Sequence, residues 1–384
     1  MDYYNLKQWH AQHKETALSG RYINQTHLLP ALEKYSAHFE IKELGTSVEG
    51  KTIHSIEAGH GPVKVLAWSQ MHGNESTTTK AVFDLLHFLS TDKGKATELL
   101  EKITLCIIPM LNPDGAAYYT RLNANKVDLN RDAQALTQPE SKILKQVYMD
   151  FKPDFALNLH GQRTLFGVGE PPRSATVSLL SPAQDEDRTV TPARKRGMDV
   201  IVAIHRMLQA FIPQAVGRYD DSYNLNCVGD TLQSLDIPTI LFEAGHFSGD
   251  YNREQTRTFI FLALLQALEK VADRDDIVNF DPETYFAIPE NKKCFYDYII
   301  RNVNLPKKSI TDIAVHFEEK IDQNGVKFVP KIEKIGNLSD YKGHQEYDFK
   351  DKKPAESLNY QWKEGVILTN LKADGDFTIT FSVN

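Results

Sequence analysis

The stretch VKVLAWSQMHGNESTTTKAVFDLLHFLS, residues 63–90, joins an apolar run to an amphipathic one through a short polar segment. The apolar run predicts a buried strand, and residues 76–90 predict a helix. His72 and Glu75 lie between them, three residues apart. Open α/β sheets bind ligands just beyond the carboxyl ends of their strands, so this pair is a candidate for two ligands of one metal ion. Such pairs also occur by chance in polar loops, and the rest of the chain must support the interpretation.

The same alternation of apolar runs and amphipathic segments continues to about residue 270. Strands are predicted for KTIHSIEAG, ITLCIIPM, DFALNLH and PTILFEAG, and helices for QPESKILKQVYMDF, RGMDVIVAIHRMLQAF and REQTRTFIFLALLQALEKVA. Apolar strands between amphipathic helices indicate an α/β sheet that is covered on both faces. We therefore predict an α/β domain over residues 1–275.

After about residue 275 the pattern changes to short alternating runs, which predict a smaller β-rich domain over residues 276–384. The Asn324-Gly325 pair suits a tight hairpin turn, and residues 365–383 predict a second hairpin. The sequence leaves the role of this domain open between a packing or interaction module and a lid over a substrate site.

The composition is that of an ordinary soluble globular protein, with 41% hydrophobic and 25% charged residues among 384. A net charge of -7 gives no reason to expect nucleic acid or an anionic membrane as a partner. No apolar run reaches the ~18–20 residues that span a bilayer, and the N-terminus has no visible signal segment, so we expect a cytoplasmic protein. The three cysteines are widely separated and imply no disulfide framework.

Two more predicted strands end on a side chain that can serve in a metal site. His160 ends the run DFALNLH, and Glu243 follows the run PTILF. Each has an ordinary alternative, because a strand-end histidine is often a core residue and a buried glutamate can form a salt bridge. Two histidines and one carboxylate, with a fourth position left to water, form a standard catalytic zinc site. A separate carboxylate is then needed to move the proton of that water, and Glu243 is the natural candidate.

Five separated motifs within residues 40–270 favour the metal-site interpretation. They are the run GTSVEGKTIHSIEAG, the motif MHGNE, the stretch NPDGAAYYTRLNANKVDLNRD over residues 112–132, and the endings NLH and FEAG. In this combination and order, the sequence resembles the zinc metallocarboxypeptidase family. The resemblance implies a mixed, mostly parallel sheet flanked by helices, and one zinc ion per chain.

The resemblance also implies roles for individual side chains. Three match the zinc ligands of the family: His72, Glu75 and His160. Glu243 matches the general base that activates the zinc-bound water. The remaining matches are Arg121 for holding the oxyanion of the scissile carbonyl, Asn130 and Arg131 for gripping the terminal carboxylate of the substrate, and Asp128 for orienting the first zinc histidine.

Several positions depart from the family pattern. The intervals from Glu75 to His160 and from Arg121 to Asn130 are short, which is more like the bacterial cell-wall and short-peptide branches. Asp132 stands where the family often has a second asparagine. Its negative charge beside the expected carboxylate pocket makes a free C-terminus a less secure choice as the preferred substrate group.

Two further substrate contacts are less well defined by the sequence. The substrate-facing tyrosine of the family matches either Tyr219 or Tyr223, and we expect Tyr223. Arg163 lies three residues beyond a zinc ligand. We expect it to contact substrate, or else to neutralise Glu75 or Glu243.

Three functions are consistent with these residues. The sequence favours a zinc metallopeptidase of carboxypeptidase type, which hydrolyses an amide bond near the C-terminus of a peptide or peptidoglycan-like peptide. The alternative is a zinc amidohydrolase of N-acyl amino acids, similar to the desuccinylases and aspartoacylases, which also carry a C-terminal β region. In either case the partner is a peptide or acyl-amino-acid substrate with a carboxylate. A non-catalytic carboxypeptidase-like binding module is the third, although such a module is expected to have lost a ligand or the base.

Overall fold

The computed structural model describes residues 1–273, 280–306, 310–323, 325–354, 361–372 and 378–383. Its helices are α1 Tyr3–His13, α2 Gln25–Tyr35, α3 Thr77–Thr91, α4 Lys95–Lys102, α5 Pro113–Tyr118, α6 Pro139–Phe151, α7 Pro192–Leu208, α8 Val228–Ser234, α9 Glu254–Ala272 and α10 Glu283–Phe286. Its strands are β1 Glu40–Thr46, β2 Thr52–Gly59, β3 Val63–Ser69, β4 Ile103–Ile108, β5 Phe155–Gly161, β6 Phe166–Val168, β7 Arg173–Ser174, β8 Val177–Leu180, β9 Val216–Arg218, β10 Thr239–Ala244, β11 Lys292–Lys293, β12 Phe295–Val303, β13 Thr311–Asp322, β14 Gly325–Gly336, β15 Lys342–Asp348, β16 Asn370–Lys372 and β17 Thr378–Thr380. Within these ranges, no helix has both the length and the apolar character needed to cross a bilayer.

The main sheet has eight strands in the order β1-β2-β4-β3-β5-β10-β8-β9. The central pairs β3–β4, β3–β5 and β5–β10 are parallel, as is β8–β9 at one edge. The pairs β1–β2, β2–β4 and β8–β10 are antiparallel. This mixed, mostly parallel sheet confirms the predicted fold class.

Helices cover both faces of the sheet, and the alternation within β3 shows how. Val65 and Ala67 belong to the large core that contains the buried side chains of α3, α7 and α9. Leu66 and Trp68 point the other way, into a second core that includes residues of α6 and α8. Because successive side chains of a strand face opposite sides of the sheet, a strand between two helical layers must be apolar throughout.

The strands and helices predicted between residues 51 and 272 are present, and the helix α7 differs most in its bounds. It was expected over residues 196–211, whereas it runs from Pro192 to Leu208. The hydroxyl of Thr191 accepts a hydrogen bond from the N–H of Arg194 at 3.2 Å, and a proline at the first helical position suits the helical backbone. A cap and a proline therefore begin the helix before its apolar pattern becomes visible.

The helices α1 and α2 were not predicted from the sequence. Only Leu6 and His10 of α1 are buried, so this helix has little apolar periodicity to recognise. Polar contacts hold it instead: His10 Nε2 lies 2.7 Å from Asp84 Oδ2, and the N-terminal ammonium of Met1 lies 2.8 Å from Glu269 Oε1. Long-range pairs of this kind leave no local sequence signal.

The C-terminal part contains a separate four-stranded sheet in the order β14-β13-β12-β15. β13 and β14 form an antiparallel hairpin in which Asp322 pairs with Gly325. Asn324, predicted to be in its turn, lies outside the described residues. β16 and β17 form the second predicted hairpin, whose connecting residues 373–377 are also outside the description.

The boundary that the sequence suggests at residue 275 falls within residues 274–279, which the structure does not describe. After this gap, Tyr285 and Ile288 belong to the core of the main sheet. The core of the C-terminal β region is a different cluster, formed by residues from Tyr298 onward together with Tyr251. Residues 280–293 thus pack on the α/β part before the chain enters the second sheet.

Candidate metal centre and active site

A tightly fixed polar turn after β3 places His72 and Glu75 side by side. Gln70 adopts a left-handed backbone with φ 48°, and its side-chain amide donates to the carbonyl oxygen of Gly73 at 2.8 Å. A Cβ on Gly73 would lie 1.9 Å from the carbonyl carbon of Gly115, so only glycine fits this approach to α5. The N–H of Glu75 donates to the carbonyl oxygen of His72 at 3.1 Å and closes the turn.

Three side chains converge on one point at the carboxyl ends of β3 and β5: His72, Glu75 and His160. The Nδ1 atoms of the two histidines lie 3.1 Å apart. Glu75 Oε1 is 2.9 Å from His72 Nδ1, and Glu75 Oε2 is 2.9 Å from His160 Nδ1. Tetrahedral zinc bonds of about 2.0–2.1 Å separate neighbouring ligand atoms by roughly 3.3 Å. The donor set and its spacing therefore fit one zinc ion.

The three converging side chains shift one another's pKa values. Burial alone would lower the pKa of His72, but the negative charge of Glu75 and the hydrogen bond with Asp128 raise it to about 9. Burial would raise the pKa of Glu75, yet the two histidines hold it well below its ordinary value. Burial lowers the pKa of His160. A divalent cation bound here would take over the role of positive partner to Glu75.

Asp128 holds the far side of the first histidine. Its Oδ1 lies 3.0 Å from His72 Nε2, so this ring nitrogen carries the proton and donates to the carboxylate. With a metal bound, this tautomer would leave the lone pair of His72 Nδ1 for the ion. Arg121 Nε donates to Asp128 Oδ2 at 3.0 Å, and Arg121 Nη1 lies 3.4 Å from Glu75 Oε1. The arginine side chain is 45% exposed, which leaves it open to a substrate.

Glu243 stands on β10 directly beside His160, its register partner on β5. Its Oε2 atom is buried, and no described residue forms a hydrogen bond with it. Burial and the nearby charge of Glu75 raise the pKa of Glu243 well above its ordinary value, against the opposing effects of His72 and Arg121. A carboxyl group with a raised pKa and an unused oxygen is suited to accepting and returning a proton.

The structure places Tyr219, and not the expected Tyr223, near this cluster. Burial raises the pKa of Tyr219, with further contributions from the charges of Glu243 and Glu75. The charges that act on Tyr223 are instead Asp230 and two acidic residues of the 185–186 segment. Strand direction does not explain this placement, because β9 is parallel to β8 and therefore antiparallel to β10. The ring of Tyr219 instead packs against that of Phe166, with the ring centroids 5.3 Å apart.

Asn130 and Arg131 lie in a single 3-10 turn, Leu129–Arg131, which Asp128 caps through the N–H of Asn130 at 2.9 Å. Asn130 Oδ1 accepts a hydrogen bond from the N–H of Val228 at 3.1 Å, which attaches the turn to α8. Arg131 is exposed, and its guanidinium donates to the carbonyl oxygen of Asn130 at 2.7 Å. An exposed guanidinium beside a fixed amide can still receive a carboxylate.

The carboxylate of Asp132 binds backbone groups of its own chain and does not face a substrate pocket. It is buried and accepts hydrogen bonds from the N–H groups of Thr137 and Gln138, both at 2.9 Å. Burial would raise its pKa, but these hydrogen bonds lower it below the ordinary value. The expected conflict between Asp132 and a substrate carboxylate therefore disappears, because this charge is used at the start of α6.

Arg163 is exposed and lines a cavity beside the metal-ligand cluster. No described carboxylate forms an ion pair with it, so the structure does not support neutralisation of Glu75 or Glu243 by this side chain. The opposite wall of the cavity comes from the C-terminal β region, through residues including His316, Phe317 and Glu319 of β13. No sequence motif pointed to these three residues, because they lie more than 70 positions beyond FEAG, the last of the five motifs.

The fold and the site together define a class: an α/β protein with a His–Glu–His cluster at the carboxyl edge of its sheet that could hold one metal ion. Residues 26–167 match the family model described as zinc carboxypeptidase. This part of the chain is therefore similar to the zinc carboxypeptidase family, in agreement with the resemblance of its motifs.

Curated relatives carry the same family name. The chain is 33% identical to Carboxypeptidase 2 of Trichophyton rubrum over 99 residues, which are 25% of this chain and 18% of that protein. It is 29% identical to Carboxypeptidase D of Rattus norvegicus over 136 residues, which are 30% of this chain and 10% of that protein. The chain thus spans less than a fifth of the length of these relatives.

Solved structures support the fold. A putative carboxypeptidase A from Shewanella denitrificans aligns with a TM-score of 0.55 at 18% identity, over 65% of this chain and 69% of that one. A carboxypeptidase A from Helicoverpa armigera aligns with a TM-score of 0.51 at 17% identity, over 71% of this chain and 80% of that one. The matched proteins are named as carboxypeptidases, which does not favour the deacylase or the binding-module interpretation.

Proposed function

We propose that this protein is a zinc-dependent carboxypeptidase that hydrolyses an amide bond near the C-terminus of a peptide or peptidoglycan-like peptide. The observation that carries the proposal is the convergence of His72 Nδ1, His160 Nδ1 and the Glu75 carboxylate, with the unpaired Glu243 Oε2 on the neighbouring strand. One zinc ion per chain would be held by the three converging groups. A cytoplasmic location stays a prediction.

When bound, zinc supplies Lewis acidity for the scissile carbonyl and lowers the pKa of a water molecule to about 7. Glu243 accepts the proton of the attacking water at Oε2 and delivers it to the leaving amine nitrogen. Burial and the charge of Glu75 raise the pKa of Glu243 above its ordinary value, which makes its carboxylate a stronger base for this exchange.

The remaining side chains hold the substrate and the ligands in place. Arg121 presents fixed positive charge to the developing oxyanion, and its exposure leaves room for that contact. Asn130 and Arg131 bind the terminal carboxylate of the substrate, the guanidinium through two parallel hydrogen bonds. Asp128 keeps His72 in the tautomer that the site needs.

The experiment that tests this function is Glu243→Gln, assayed for both zinc and hydrolysis. We expect about one zinc per chain in wild type and variant, because Glu243 is outside the ligand set. Hydrolysis of short peptides, followed by mass spectrometry, should fall by roughly 10²–10⁴-fold, since the variant cannot accept the proton.

The control is Glu101→Gln on α4, an exposed glutamate that should leave both measurements unchanged. A Glu243→Gln variant that retains the wild-type rate would refute the role of Glu243. A wild-type protein that cleaves N-acyl amino acids and no peptide would refute the peptidase assignment in favour of the deacylase.

A further inference from the structure

A cavity of about 320 Å³ separates the metal-ligand cluster from the C-terminal β region. Glu75, Arg121 and Gln162 line it on the side of the main sheet, and Phe317 and Phe328 line it on the side of the β13–β14 hairpin. Neither Asn130 nor Arg131 is among its described lining residues. A substrate whose terminal carboxylate occupies the Asn130–Arg131 turn therefore has a second compartment available on the other side of its scissile carbonyl.

The C-terminal wall of this cavity is fixed by buried polar contacts. Arg21 Nη2 lies 3.0 Å from the Glu319 carboxylate, which also accepts a short hydrogen bond from the hydroxyl of Tyr119. The hydroxyl of Tyr251 donates to Asp297 Oδ1 at 2.9 Å. The four-stranded C-terminal sheet is thus attached to the α/β part by paired groups, and two of the cavity's four carboxylates are used in the attachment.

The other two carboxylates in the lining are also occupied. Glu318 forms ion pairs with Lys331 at 2.7 Å and with Lys320 at 3.0 Å. Glu75 belongs to the metal-ligand cluster. No carboxylate of the described lining is therefore left to attract a cationic substrate group.

Two cations in the same lining lack such partners. Arg253 is 1% exposed, and its guanidinium donates only to the carbonyl oxygens of Gln162 at 3.0 Å and Ala244 at 3.3 Å. Its Nε atom is buried with no hydrogen-bond partner in the described chain. Arg163 is exposed at the rim and, like Arg253, forms no ion pair with any described residue. The charges of Glu319 and Asp250 act on Arg253 without forming a described ion pair with it, so its guanidinium keeps an N–H group free of a partner at the cavity.

We propose that this cavity is a subsite for a carboxylate carried by the acyl part of the substrate, the part that precedes the scissile bond. The inference rests on the proposed function and adds the chemical class of the group selected. Arg163 contacts the carboxylate directly, since it is the long, exposed cation at the rim. Arg253 contributes fixed positive potential from beneath, where low solvent access strengthens its effect. Phe317 and Phe328 pack against the apolar stem of the same residue.

Equilibrium binding tests the proposal without depending on turnover. The protein would be the zinc-loaded Glu243→Gln variant, titrated by calorimetry with acetyl-Glu-Ala-Ala, acetyl-Ala-Glu-Ala and their Gln and Lys counterparts. We expect at least one Glu peptide to bind about tenfold more tightly than its Gln counterpart, and the Lys counterpart to bind least tightly.

Adding Arg163→Gln should reduce this advantage to about threefold or less, and Arg163→Glu should make the Lys peptide the preferred one. Arg173→Gln, an exposed arginine outside the cavity lining, is the matched control and should keep the full advantage. Equal binding of Glu and Gln peptides at both positions, or an advantage that survives Arg163→Gln, would overturn the proposal.

Failure of the proposed function gives a different result. A protein with Glu243 intact that hydrolyses none of these peptides would contradict the carboxypeptidase assignment, whatever the binding preference. A protein that hydrolyses Glu and Gln peptides, and binds them equally, would keep the assignment and remove the subsite.

Discussion

Two buried polar clusters in this protein contain the same kinds of side chain and are built in opposite ways. In the cluster between α1, α3 and α9, both oxygens of Asp84 are fully occupied. Oδ1 accepts from the N–H of Glu15 at 2.7 Å and from Arg257 Nη2 at 2.6 Å. Oδ2 accepts from Arg257 Nε at 2.6 Å and lies 2.7 Å from His10 Nε2.

The metal-ligand cluster is different because its nitrogen and carboxylate oxygen atoms converge on one point. The Nδ1 atoms of His72 and His160 are 3.1 Å apart, and both oxygens of Glu75 point to the same place. Arg121 Nη1 lies 3.4 Å from Glu75 Oε1, and the same side chain also donates to Asp128 through Nε. A saturated cluster stabilises the fold, whereas a convergent set of acceptors stabilises only in the presence of a cation.

The largest expected effect comes from His160→Ala, which removes one of the converging atoms. Zinc should fall from about one per chain to near zero, and peptide hydrolysis should fall by about 10³-fold or more, because no zinc remains to activate water. Metal content by mass spectrometry and a peptide assay check both. His38→Ala, an exposed histidine, is the control. A His160→Ala protein that still binds one zinc would show that the ligand set is wrong.

Asp84→Ala should act on stability instead of chemistry. It removes the carboxylate that accepts two hydrogen bonds from buried Arg257 and leaves, among the described carboxylates, only the contact with Glu254 at 3.2 Å, so we expect the free energy of unfolding to fall by about 3–5 kcal/mol. Urea denaturation measures this loss, and zinc content per folded chain should stay near one. If Asp84→Ala lost zinc with unchanged stability, the contrast between the two clusters would fail.

Asp128→Ala should have the smallest effect of the three, because it changes the support of His72 and not the ligand set. Loss of such a carboxylate typically lowers metal affinity by about 10–100-fold. Competition with a chelator of known affinity measures the change. Asp340→Ala, at an exposed position, controls for the lost charge. Unchanged zinc affinity in Asp128→Ala would mean that the His72–Asp128 contact does not prepare the ligand.

The strand-end residues could be predicted because their signals are local. Residues 65–68 are apolar on both faces, so β3 and the position of His72 follow from a short window. Glu243 could be placed for the same reason, since the apolar run of β10 directly precedes it. The order of the motifs then indicated the family resemblance, and the resemblance implied the mixed sheet.

The parts that were not predicted depend on contacts between distant segments. Arg21 and Glu319 are 298 positions apart, and the sequence around either residue does not predict their pairing. Tyr219 and Tyr223 cannot be ranked without the tertiary contacts of Tyr219, whose ring packs against the distant Phe166. Asp132 looks like a charge in a pocket until the N–H groups of Thr137 and Gln138 are seen to occupy it.

The register pairing of His160 with Glu243 has a consequence for how this protein can diversify. Their separation is set by the spacing of adjacent parallel strands, about 4.8 Å, and not by any loop. Insertions and deletions in the loops after β5 and β9 can therefore change what the protein accepts while the distance between ligand and base stays constant. Mutations in these loops can thus change the substrate range, and new specificities can be selected while the residues of the reaction centre stay in place.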